Sequence, residues 1–188
     1  MGRAFADSNV LFPFSVMDLL LALSEDGVHE VIWTDDLLDE WERVIVREHK
    51  RSSESASQIT HAVREFFADS KVQREEYEHL IEEMPGRDPD DRAHMAAVIA
   101  RQPCTILTYN TKDFPSRPLA KRGVRVADPD AYLCEIAAEW PEEVVDTIAR
   151  LAAEKSRPPR TPHDLLDGLE HAGVRQFAAM LRPRLPRR

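Results

Sequence analysis

Short apolar segments alternate with longer amphipathic ones through the first 138 residues, and this alternation limits the possible folds more than any other feature. "RAFAD" (residues 3–7), "HEVIWT", "CTILTYN" and "GVRVADP" have the length and apolar content of buried strands. Each is separated from the next by helix-like sequence. Parallel neighbours in a sheet need a crossover connection, so strands alternating with helices predict a parallel sheet covered by helices. The helix signals are specific. Pro13 and Gly27 bound "PFSVMDLLLALSEDG" as a helix start and stop. Thr34 is placed to cap "DDLLDEWERVIVREHKR", which carries acids in its first turn and bases in its last. Residues 54–69 and 72–84 read as two further helices, "DDRAHMAAVIARQ" as an acid-initiated one and "DAYLCEIAAEW" as a closing one. The expected fold is α/β: a three-layer α/β/α arrangement around a central parallel sheet of four to five strands.

A second region follows. Residues 1–138 are expected to form one domain and residues 139–188 a C-terminal helical extension. The extension reads as a helix from 141 to about 155, the linker "SRPPRTP", the amphipathic stretch "HDLLDGLEHAGVRQFAAML" and a tail, "RPRLPRR", expected to be mobile. Charge divides unevenly between the regions. The net charge is −9, yet residues 155–188 hold eight Lys/Arg against three Asp/Glu. The rest is strongly acidic, with no overall attraction to nucleic acid or to an anionic membrane. The most apolar stretch, residues 16–23, is interrupted by Asp18 and too short to span a bilayer. No secretory pattern opens the chain, so a cytoplasmic location is expected. Cys104 and Cys134 have no metal-ligand spacing and read as two buried free thiols, with one disulfide as the alternative.

The acidic residues carry the chemistry. Asp7 stands where the first apolar strand gives way to a loop, and a buried strand gains nothing from a carboxylate. Ligands of open α/β sheets bind at that edge. Asp113 follows the third strand, Asp88, Asp90 and Asp91 open the "RAHMAAVIA" helix, and Glu40 lies one to two turns into the helix after the second strand. In a parallel sheet these positions share one edge. Each also has a plainer role: Asp88 and Asp90 as helix caps, Glu40 on a solvated face, Asp113 as a turn residue before Pro115. Gathered carboxylates repel one another unless a cation sits among them, and a hard divalent cation such as Mg²⁺ takes oxygen ligands. Such a site suits phosphodiester hydrolysis. Other chemistries lack their signatures. There is no GxGxxG or GxxxxGK[ST], Ser8 has no GxSxG setting, and the seven histidines, His94 among them, form no ligand pair and read mostly as solvated helix surface.

Four segments together resemble the PIN domain, the metal-dependent ribonuclease fold of VapC-type toxins. "FADSNVL" is similar to the family's opening strand with its first Asp, and "LLDEWERVI" to the segment carrying its Glu. "DPDDRAHMAAVIA" resembles the acid-initiated, alanine-rich helix, and "ILTYNTKDFP" the strand and turn with the last acid. The resemblance implies that Asp7 is the central metal ligand, that Glu40 binds the metal or positions the attacking water, and that Asp91 and Asp113 complete the carboxylate set. It makes Asn9 and Thr108 supporting hydrogen-bonders, with Asp90 and Asn110 alongside. Asn110 departs from the pattern, since an amide can coordinate a metal but adds no charge. Also implied are Mg²⁺ or Mn²⁺ as cofactor, RNA as substrate, a cognate antitoxin of a type II toxin–antitoxin pair, and a homodimer. Arg3, Lys112, Arg117, Lys121 and Arg122 are candidate phosphate contacts, with solubilising charge as the equal alternative. The alternative function is a catalytically inactive PIN-fold binding or scaffold protein acting through its C-terminal extension.

Overall fold

The computed structural model describes residues 2–48, 51–156 and 158–186. His49 and Lys50 in the helix predicted after Thr34, Arg157 of the linker and the last two arginines of the tail lie outside the described residues. The described residues fall into two compact units, one of residues 2–12 and 30–127, the other of residues 13–29 and 128–186.

A four-stranded sheet of order β2-β1-β3-β4 organises the first unit. Its strands are β1 (Gly2–Ala6), β2 (His29–Val31), β3 (Cys104–Leu107) and β4 (Val124–Ala127). β1 runs parallel to β3 with Ala6 opposite Leu107, and β3 runs parallel to β4. Ala4, Phe5, Ala6, Ile106 and Leu107 are buried, as the uninterrupted apolar runs of a covered parallel sheet require. The chain leaves β1 for β2 on one side and later returns to β3 on the other. The strand order therefore reverses between β1 and β3, which makes their C-terminal ends a topological switch point.

The helices of this unit are α1 (Ser8–Leu11), α3 (Asp35–Arg47), α4 (Ser53–Phe66), α5 (Arg74–Tyr77), α6 (Pro89–Ala100) and α7 (Ser116–Ala120); α2 (Phe14–Glu25) belongs to the second unit. The Thr34 hydroxyl accepts from Leu37 N–H at 3.1 Å and caps α3, as its sequence predicts. Residues 72–84 do not form the single helix expected of them. Lys71 bridges to Trp33 in parallel, and Val72 N–H donates to the Trp33 carbonyl at 2.8 Å. This extended pairing holds the chain out of helical geometry, and only the short α5 and a 3₁₀ segment, Glu78–Glu83, follow.

The second unit holds α2, α8 (Pro129–Glu139), α9 (Pro141–Glu154), α10 (Pro162–His171) and α11 (Arg175–Leu181). The amphipathic stretch after the linker is two helices, because Gly173 takes a φ of 99° and turns the chain between them. The buried Asp130 carboxylate accepts from the N–H groups of Gln176 and Phe177 at 2.9 and 2.8 Å, meeting donors that the start of α11 cannot satisfy itself. The tail expected to be mobile is packed as far as it is described. Arg182 pairs with Asp167 and Glu170 at 2.8 and 2.9 Å, and Leu185 is buried. Among the described residues no helix is long and apolar enough to cross a membrane.

Candidate active site

Asp7 is the first residue beyond β1, and its position is set by the sheet. Its N–H continues the ladder to the Leu107 carbonyl at 2.9 Å, while Thr108 N–H does the same to Ala127 at 3.1 Å. These bonds place Asp7 and Thr108 side by side at the switch point. The Thr108 hydroxyl donates to Asp7 Oδ2 at 2.8 Å, and the Asn9 amide donates to the same oxygen at 2.6 Å. Asn9 also reaches Thr108 Oγ1 at 3.1 Å, and its own oxygen accepts from Tyr109 N–H at 3.2 Å. Asn9 thus staples the loop after β3 to the turn after β1. Asp7 is only 6% exposed, and burial pushes its carboxyl above the ordinary range, against the hydrogen bonds that stabilise the anion.

Glu40 comes from α3. Ser8 Oγ donates to its Oε1 at 2.5 Å, while among the described residues Oε2 is buried with no hydrogen-bond partner. Burial raises the Glu40 carboxyl, and the nearby charges of Asp7 and Asp90 raise it further. Asp91 sits half-buried in the first turn of α6. Its carboxyl is pushed up to about 7, first by burial and then by the negative charges of Asp88, Asp7, Asp113 and Glu40. Asp91 therefore lies within electrostatic reach of the other three predicted carboxylates. Asp113 is exposed, in a turn where the Asn110 amide donates to its Oδ2 and Asp113 N–H donates to the Asn110 carbonyl at 3.2 Å. Asn110 N–H in turn donates to Thr108 Oγ1 at 3.0 Å.

Two acids have helix-start roles. Asp88 caps α6, its Oδ1 accepting from Asp90 N–H at 2.9 Å, and Asp90 faces Arg43 of α3 at 3.4 Å. The candidate phosphate contacts separate as well. Arg3 lies near the start of β1, not at the Asp7 end, and is held by Glu30 at 2.9 Å and by the Arg101 carbonyl; Arg122 pairs with Glu83 at 3.0 Å.

Sequence reasoning missed two residues here. Ser8, set aside as a nucleophile, is the partner of Glu40. His94, read with the other histidines as surface, is 1% exposed. It stands with Nε2 3.4 Å from Glu40 Oε2 and its ring against Phe5, centroids 5.2 Å apart. Burial holds its imidazole neutral, down at about 4. The available signal was helical phase. His94 falls one turn after Asp91, inside the uninterrupted buried run from Ala93 to Ile99.

The donor set is one of hard oxygens at a sheet edge, with an orphaned buried carboxylate oxygen on Glu40 and an Asp91 whose carboxyl is raised by burial and then by its anionic neighbours. That chemistry fits a divalent cation of the Mg²⁺ class. As placed, no three His, Cys, Asp or Glu side chains among the described residues converge closely enough to hold one ion. The carboxylates share an edge, and Asp7 and Asp113 are bonded to neighbouring amides.

The chain belongs to the PIN domain family, whose model matches residues 5–112, a stretch that holds the end of β1, β2, β3 and three of the four carboxylates, Asp7, Glu40 and Asp91. A second model, the VapC50 C-terminal domain, matches residues 129–183, the helices that follow β4. Over 96 residues the chain is 33% identical to the "Putative ribonuclease VapC50" of Mycobacterium tuberculosis strain H37Rv. That likeness covers 51% of this chain and 56% of the relative's length. No solved structure matches the chain.

Proposed function

We propose that this protein is a divalent-metal-dependent endoribonuclease, a hydrolase of RNA phosphodiester bonds that serves as the toxin of a type II toxin–antitoxin pair. The observation that supports the reading is that Asp91 lies within electrostatic reach of Asp7, Glu40 and Asp113, and Glu40 within reach of Asp7, at the edge where β1 and β3 end. The likeness to a protein named a ribonuclease supplies the substrate class.

Asp7, Glu40, Asp91 and Asp113 are the residues that would hold Mg²⁺ or Mn²⁺. A bound ion of this kind polarises the phosphate, generates a nucleophile from water and offsets charge on the leaving oxygen. The chain's own residues do the rest. Asn9 and Thr108 fix the rotamer of Asp7, and Ser8 fixes one oxygen of Glu40. Asn110, an amide where an acid would add charge, orients Asp113. A groove of about 480 Å³ beside the carboxylates is lined by Ser8, Asn9, Glu40, Arg43, Arg47 and Asp88, among others. It gives a single strand room to lie across the edge, beside Arg43 and Arg47 of α3, which pair with Asp90 at 3.4 Å and Glu48 at 3.2 Å and would have to exchange these partners for its phosphates. A cognate antitoxin, a homodimer and a cytoplasmic location complete the proposal.

One observation favours a second reading. Because the carboxylates do not converge on one point, a PIN-fold binding or scaffold protein without catalysis, acting through residues 139–188, would also account for the fold. Cleavage of a mixed structured and single-stranded RNA pool separates the two. The nuclease cuts with Mg²⁺ or Mn²⁺, stops with EDTA and is silenced by Asp7→Asn. Cleavage that survives Asp7→Asn overturns the mechanism, and a folded, metal-loaded protein that cuts nothing supports the scaffold.

A further inference from the structure

The most unusual internal feature is a pair of buried polar atoms that face each other with neither satisfied. Among the described residues, Glu40 Oε2 and both ring nitrogens of His94 are buried without hydrogen-bond partners. Oε2 and Nε2 stand 3.4 Å apart. A buried polar group left unmet is costly, so two orphans at this separation are best explained as halves of one bond. A small reorientation that aims an Nε2–H at Oε2 satisfies these two atoms and leaves Nδ1 as the ring's unprotonated nitrogen. His94 has little freedom to do anything else. It is carried by the buried face of α6 and packs on Phe5 of β1.

Glu40 is then held from two sides. Ser8 Oγ already donates to Oε1 at 2.5 Å. With His94 on Oε2, the carboxylate is clamped between α1 and α6 while its helix, α3, supplies only the backbone. A side chain with several rotatable bonds has many ways to miss a cation or a water, and two donors remove that freedom.

We infer that His94 is a positioning residue for Glu40, acting through an Nε2–H donor to Oε2. This rests on the proposed reading of Glu40 as a metal-site carboxylate. The plain alternative is that His94 is only core packing, so the test needs readouts that packing alone does not move.

The experiment is a double-mutant cycle on the full chain. His94→Phe and His94→Leu remove the donor in two shapes, so a misfit of one ring does not decide the outcome, and His94→Gln restores an N–H near Nε2. Each is made with Glu40 intact and with Glu40→Gln. Mn²⁺ affinity is read by EPR of the free ion, RNA cleavage gives kcat and KM separately, and Tm reports folding. With Glu40 intact, both donor deletions should weaken Mn²⁺ binding about tenfold and lower kcat by a similar factor with KM nearly unchanged. His94→Gln should recover most of both. In the Glu40→Gln background the same deletions should change Mn²⁺ affinity by less than twofold. Equal losses in both backgrounds, or losses in Tm with Mn²⁺ affinity and kcat intact, overturn the inference. Absence of RNA cleavage by the wild type would count against the ribonuclease reading alone, because the Mn²⁺ cycle still reports on His94.

Discussion

Thr108 Oγ1 donates to Asp7 Oδ2 at 2.8 Å across the gap between β1 and β3, where the strand order reverses. One side chain thus ties the two central strands together at the edge where the acids collect. Thr108 is fully buried and also accepts from Asn9 and Asn110. Thr108→Val keeps the shape and deletes these bonds. It should lower stability by about 1–3 kcal/mol in urea unfolding. Mn²⁺ affinity should fall about tenfold as Asp7 loses its orientation. Unchanged affinity would mean that Asn9 alone holds Asp7.

Asp91 makes the metal-free protein sensitive to pH. Its carboxyl lies near 7 in the protein against 3.8 ordinarily, so the folded state binds the proton more tightly than the unfolded chain. The resulting contribution to stability is complete below 3.8 and is lost as pH climbs through about 7. Asp91→Asn removes the charge that carries this penalty. At pH 8 without divalent ions, the variant should be more stable by about 1 kcal/mol, a value discounted for solvent screening of a half-buried group. This corresponds to about 2–4 °C in Tm for a chain of this size. The advantage should shrink to less than about 1 °C at pH 4. Scanning calorimetry of the two proteins at both pH values checks the sign.

The second unit depends on a carboxylate of another kind. Asp130, 6% exposed, takes two N–H groups at the start of α11. Asp130→Ala leaves the Phe177 N–H buried and unmet and the Gln176 N–H to solvent, at a cost of about 1–3 kcal/mol. Hydrogen exchange should show the loss first in residues 175–181. Protection there that is unaffected would show that α11 is held by its apolar face alone.

The two thiols should differ in reactivity. Both cysteines are free, Cys104 buried and Cys134 partly exposed, and burial pushes the Cys104 thiol up to about 12. At pH 8 iodoacetamide should modify Cys134 at least about ten times faster than Cys104, with the difference abolished in urea. Mass spectrometry of timed samples reads this directly.

Much of this was legible in the sequence because the signals were local. The carboxylate at the end of an apolar strand, the threonine before an acid-loaded helix and the acids after "MPGR" each state their place within a few residues. Asp88 as the cap of α6 follows from the same reasoning. The failures came where distant residues decide. Residues 72–84 have helical composition, but Trp33 draws Lys71 and Val72 into extended pairing. Arg182 folds back onto Asp167 and Glu170, which makes a basic tail part of the core's edge. His94 and Ser8 were hidden because their partner, Glu40, lies 54 and 32 residues away along the chain. A polar residue inside a buried helical run points to a partner without naming it.

Metal-dependent cleavage at this edge requires a cation among Asp7, Glu40, Asp91 and Asp113. Anomalous diffraction from crystals grown with Mn²⁺ tests this most directly. The prediction is a strong peak at the C-terminal edge of β1 and β3, with oxygens of Asp7 and at least one other of these carboxylates within about 2.0–2.3 Å. Asp7→Asn crystals should lose it. A well-ordered site that stays empty in Mn²⁺, or a peak that persists in Asp7→Asn, would contradict the metal centre described here.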